Sequence, residues 1–117
     1  MKNFKNLKVW QKGIDIVMKT YDVTTLLPKG EKFGLVSQMN RSAVSIPSNI
    51  AEGCSRDSKK DFNNFLRIAL GSSFELETQI LIVEKLSFAN KSPIDSLKVT
   101  IDEEQKMLMA LMKSLKD

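Results

Sequence analysis

The sequence contains no histidine. That absence removes the commonest general base, the usual imidazole metal ligand and the side chain that changes charge near neutral pH. A single cysteine, Cys54, excludes an intrachain disulfide and a Cys-rich zinc site. Cys54 is also a poor nucleophile candidate: no imidazole can deprotonate it, and it follows Gly53 at the negative end of an expected helix. The structural or incidental reading of this thiol is preferred. Long apolar runs are missing too. The longest, Met107 to Met112, falls far short of the ~20 residues that span a bilayer. Near the start, Lys5, Lys8, Lys12 and Asp15 interrupt any signal-peptide core. The expectation is a cytoplasmic protein with no membrane segment, no metal and no cofactor.

What is present is ordinary globular material, 117 residues with 42% hydrophobic and 27% charged side chains. That is enough for one domain, residues 1–117, with its own core. Breaks at Pro28-Lys29-Gly30, at Gly53 to Ser58 and at Asn90 to Pro93 divide the chain into four. Between them apolar residues step by three and four, the helical period. The stripes are Leu7, Trp10, Ile14, Val17 and Tyr21; then Val36, Met39, Ala43, Ile46 and Ile50; then Phe62, Phe65, Ala69, Ser72, Leu76, Gln79, Val83 and Leu86; then Ile94, Leu97, Ile101, Glu104, Leu108, Leu111 and Leu115. Short breaks between such segments point to an all-α, up-down-up-down four-helix bundle. The expected spans are 6–26, 31–53, 58–89 and 93–116.

End signals agree. Ser58 with Asp61 forms a capping pair, Ser92-Pro93 is a second start, and Gly53 stands where a left-handed cap would close a helix. Pro47 inside the second span removes a helical hydrogen bond and predicts a kink near Ala43. Two shorter helices meeting at Ser45-Ile46-Pro47 are the alternative. Trp10, on the first stripe, is expected in the core. Ser72 or Ser73 is expected to bond Gln79 or Asn49 across the bundle, since buried polar groups need partners.

No catalytic constellation is visible. Glu75 and Glu77 point to nearly opposite helix faces, and Gly71-Ser72-Ser73 lies mid-helix with no strand before it, unlike a phosphate cradle. An enzyme is therefore the least favoured class. Charge is more informative. The formal net charge is +4, and the first 56 residues carry +5 against −1 for the remainder. On the first helix Lys5, Lys8, Lys12 and Lys19 fan out opposite the apolar stripe. They form either a wet helix face or a ridge that contacts nucleic-acid phosphates without reading bases. The second helix has an outward line of Gln38, Arg41, Ser45, Ser48 and Glu52, a candidate subunit interface or simply a polar face. The runs Ile80 to Val83 and Met107 to Met112 are apolar on every side, more than one core can take, which favours burial against a second copy.

Several motifs carry a resemblance. Leu7-Lys8-Val9-Trp10-Gln11-Lys12, Glu31-Lys32-Phe33-Gly34-Leu35, Gln38-Met39-Asn40-Arg41-Ser42-Ala43 and, most diagnostic, Val44-Ser45-Ile46-Pro47-Ser48-Asn49-Ile50-Ala51-Glu52-Gly53 precede Phe65-Leu66-Arg67-Ile68-Ala69-Leu70-Gly71-Ser72 and Glu75-Leu76-Glu77-Thr78-Gln79. Together they resemble the four-helix-bundle proteins called 23S rRNA intervening-sequence proteins, over nearly the whole chain. Asn40 stands where a basic residue is more usual, and Ser42 where alanine is. The resemblance implies an up-down-up-down bundle that closes into a cyclic homo-oligomer, a pentamer. It also implies a fold similar to the accessory protein of diversity-generating retroelements, and genes associated with ribosomal RNA insertions. It assigns no catalytic residue. The resulting expectation is a non-enzymatic, oligomeric, RNA-associated binding or scaffold protein; the alternative is a module that holds a partner polypeptide and touches no nucleic acid.

Overall fold

The computed structural model describes residues 3–116. Four helices dominate: α1, Lys8–Thr24; α2, Ser37–Cys54; α3, Lys59–Leu86; and α4, Lys91–Ser114. A 3-10 turn at Phe4–Asn6 precedes α1, and a 3-10 turn at Lys29–Glu31 with a π turn at Lys32–Val36 leads into α2. Partner positions run in opposite directions along each neighbouring pair. Gly13 meets Pro47 and Thr24 meets Asn40 between α1 and α2; Ser42 meets Glu75 and Gly53 meets Phe65 between α2 and α3; Glu84 meets Lys98 between α3 and α4. All neighbours are thus antiparallel. The molecule measures 45 × 23 × 20 Å, the length set by the 28 residues of α3 at about 1.5 Å each. No helix among the described residues is long and apolar enough to cross a membrane.

The helix ends show which local signals held. Ser58 Oγ accepts from the Asp61 amide at 3.1 Å, the anticipated cap of α3. Helix α4 begins two residues early, at Lys91 after Asn90, so Pro93 lies within its first turn, where its missing N–H costs nothing. Gly53 closes nothing. It is helical, and its role is proximity: a Cβ there would stand 2.8 Å from Phe65 Cβ and 2.9 Å from Phe62 Cδ1. The left-handed cap occurs at Ser87, φ 54°, which ends α3.

Helix α2 runs unbroken through Pro47, so the two-helix alternative is excluded. The non-helical backbone in this region lies ahead of it, at Gly34, φ −100° and ψ −108°.

Three of the four stripes pack inward largely as their spacing dictates, but α1 is rotated. Its buried face is Val9, Gly13, Ile16, Thr20 and Val23. Leu7, Trp10 and Val17 are half-buried, while Ile14 and Tyr21 are exposed at 38% and 45%. Trp10 packs at the rim, edge-on to Phe4 with centroids 5.3 Å apart. The physical reason is steric. Gly13 lets α1 approach Pro47 closely, a Cβ there reaching within 3.2 Å of Pro47 Cβ. The bulkier stripe would hold the helices apart. Thr20 is acceptable inside because its hydroxyl donates to the Ile16 carbonyl at 2.7 Å.

Polar groups tie the helices together. Ser42 Oγ donates to Glu75 at 2.8 Å and Thr24 Oγ1 to Asn40 Oδ1 at 3.1 Å, so positions 40 and 42 both carry interhelical bonds. Ser72 pairs with Ser45, 2.8 Å, and Ser73 donates to the Leu70 carbonyl, so neither takes the anticipated partner. Glu104 is fully buried, and neither carboxyl oxygen has a partner among the described residues. Burial pushes its pKa up to about 8, opposed by the charge of Lys12.

Candidate nucleic-acid and subunit interfaces

The antiparallel arrangement brings the starts of α1 and α3 and the ends of α2 and α4 to one end of the bundle. Lys5, Lys8, Arg56, Lys59, Lys60, Lys113 and Lys116 gather there against three described carboxylates, Glu52, Asp57 and Asp61. At the opposite end Lys29, Lys32, Lys85 and Lys91 meet Asp22, Glu31, Glu84 and Asp95; along the middle, cations and carboxylates are equally balanced. The positive excess of the described residues is therefore concentrated at a single end. A cleft of about 380 Å³ opens there, lined by residues 53–59 and Phe62. Arg56 lies across the Phe65 ring, 4.8 Å from its centroid, and pairs with Glu52 at 3.1 Å.

The α1 lysines do not form one continuous ridge. Lys12 pairs with Glu103 of α4 at 3.0 Å, and Lys19 lies 3.5 Å from Asp15 and donates to Thr100 at 2.7 Å. These two are drawn onto the α1–α4 seam. Lys5 and Lys8 stay exposed at the charged end, Lys5 5.9 Å from the Phe4 centroid. Sequence order hid Arg56, Lys59, Lys60, Lys113 and Lys116 because they fall in two stretches, 56–60 and 113–116, remote from each other and from Lys5 and Lys8. Helix polarity was the signal that could have assembled them.

The α2 line is divided as well. Gln38, Arg41 and Ser48 are exposed; Ser45 turns into the α2–α3 seam, where Ser72 and Asn49 engage its hydroxyl; Glu52 is taken by Arg56. Larger apolar surface lies elsewhere. The rotation of α1 leaves Ile14, Met18 and Tyr21 outside, Met18 at 62% exposure. On α3, Ile68, Phe74, Leu81, Ile82 and Leu86 are also exposed. Of the two apolar runs, Ile80, Val83 and Leu108 enter the core while Leu81, Ile82 and Met109 face outward, as all-round apolar character requires. Phe33 is the most exposed large apolar residue among the described residues, at 88%, with Lys32 Nζ 5.5 Å from its ring centroid.

The sequence profile of a family described as 23S rRNA-intervening sequence protein matches residues 5–110. No curated protein matches the chain. The fold is similar to a crystal structure of a protein with unknown function from the S23 ribosomal protein family of Bacteroides thetaiotaomicron. The two share 25% identity and a TM-score of 0.82, over 90% of this chain and 98% of that one.

Proposed function

We propose that this chain, which belongs to the 23S rRNA-intervening sequence protein family, is a cytoplasmic, non-enzymatic scaffold that self-associates and binds RNA through the charged end of its bundle. The observation that carries this reading is the collection of seven cationic side chains around three carboxylates at that end. Lysines so placed neutralise phosphates and release counterions, giving affinity that is salt-sensitive and indifferent to base sequence. Fluorescence anisotropy with a structured RNA tests it. The expected affinity falls steeply between about 50 and 200 mM salt. Lys59→Glu with Lys60→Glu lowers affinity and reduces the salt slope by about one per lost contact. Lys19→Glu, on the α1–α4 seam, has the smaller effect. Absence of binding at low salt, or indifference to the Lys59 and Lys60 reversals, overturns the reading.

Self-association is proposed on the outward apolar residues of α1 and α3, with five copies in a ring as the family resemblance implies. Two different patches per copy make a heterologous contact, and closure would cover both. In a ring whose axis follows the bundle, all charged ends face one way and act multivalently. Light scattering at micromolar concentration is expected to give a multiple of 13.2 kDa, and Met18→Asp, which alters an outward side chain, is expected to lower it. A wild-type monomer would refute the assembly. The second reading, a module that holds a partner polypeptide, is favoured by Phe33, an aromatic side chain left outside at the charge-balanced end.

A further inference from the structure

Three features of the core meet at one point. Glu104 reaches in from α4, fully buried, with both carboxyl oxygens unpartnered among the described residues. Its Oε2 lies 3.4 Å from the position that a Cβ on Gly13 would occupy. Pro47 reaches the same position from α2, its Cβ at 3.2 Å and its Cα at 3.4 Å. Gly13 therefore keeps open a space shared by the Glu104 carboxyl and the Pro47 backbone. Pro47 has no N–H, so the carbonyl four residues earlier, that of Ala43, loses its helical donor. Ala43 is itself fully buried, so water cannot readily substitute. A buried carbonyl deprived of its helical donor and a buried acid without a partner are each costly alone.

We infer that Glu104 sits in the fold as a neutral acid and that its O–H is the donor for the Ala43 carbonyl that Pro47 strips of its helical partner. One hydrogen bond then accounts for an acid in the core, a proline inside an unbroken helix and a glycine at their meeting point. An ionised Glu104 could not serve, because a carboxylate only accepts.

The surroundings favour the neutral form. From α1 the charged neighbour is Lys12, whose ammonium is engaged by Glu103 of α4 at 3.0 Å. The buried face of α2 between Met39 and Ile50 carries no ionisable side chain, nor does the buried face of α3, where Ser73, Leu76 and Gln79 lie. Glu77 of α3 is occupied elsewhere, accepting from Gln105 at 2.8 Å.

Infrared spectra of the full chain carrying carbon-13 glutamate test the inference. At about pH 6, where ordinary carboxyls are ionised, a protonated carboxyl band is expected at the lowered wavenumber of a hydrogen-bonded acid. It should be absent from Glu104→Gln and should titrate away with a midpoint near 8. In Pro47→Ala the restored amide N–H competes for the Ala43 carbonyl, and the band should move to the higher wavenumber of a free acid. No band at that pH, a free-acid position in the wild type, or a band unmoved in a folded Pro47→Ala overturns the inference. Should Pro47→Ala fail to fold, Gln79→Leu decides: Gln79 Oε1 is the unpartnered acceptor on the buried face of α3, and a band that moves to the free-acid position in that variant overturns the inference.

Discussion

Between pH 4.5 and pH 8 the wild-type bundle should lose unfolding free energy that the Glu104→Gln variant keeps, by about 5 kcal/mol at most. The sign follows from proton counting. The unfolded chain releases the Glu104 proton near the ordinary value of 4.5, whereas the folded chain holds it until about 8. Below 4.5 both states are protonated and the acid form contributes fully. Within the window the folded state binds the extra proton, so each rise in pH favours unfolding. Above 8 both states are ionised and the loss is complete. Urea titrations of the two proteins across this range provide the measurement, and the difference between them isolates Glu104 from every other titrating group. Parallel curves would mean that the carboxyl is hydrated or ion-paired in the folded protein.

Gly53→Ala should be the most damaging single-methyl substitution among the glycines, costing about 3 kcal/mol. An alanine is the better helix former by about 1 kcal/mol, so propensity alone predicts a gain. Space decides otherwise. The new Cβ would stand 2.8 Å from Phe65 Cβ, an atom fixed to the α3 backbone, and 2.9 Å from the Phe62 ring. Neither can yield without moving α3 away from α2. Gly71→Ala is the control: nothing lies within 4 Å of its Cβ position, so propensity should win and stability should rise by about 0.5–1 kcal/mol. Thermal or urea unfolding of the pair measures the contrast. Equal effects would show that the α2–α3 seam can expand at no cost.

Local chemistry was readable where it answers to neighbours in sequence: Ser58 capping α3, the spacing of Met39, Ala43, Ile46 and Ile50 on one face of α2, and Leu97, Ile101 and Leu108 on α4. Even Glu104 appeared as the polar member of its stripe, and it is buried there. The candidate site was legible only in part. Lys5 and Lys8 belong to the charged end, but Lys12 and Lys19 are diverted by Glu103, Asp15 and Thr100.

The periodicity of apolar side chains by itself determined four helices, their order and the all-α class, because burial of a stripe is a property of residues three and four apart. Charge totals and the absence of histidine likewise follow from composition. Tertiary structure alone decided which face of α1 turns inward, because that choice depends on the fit of Gly13 against Pro47 on another helix. It decided that Gly53 is a contact rather than a cap, through Phe62 and Phe65. It also gathered the cations of α1, α3 and α4 at one end, since only the antiparallel packing of the helices brings such distant segments side by side.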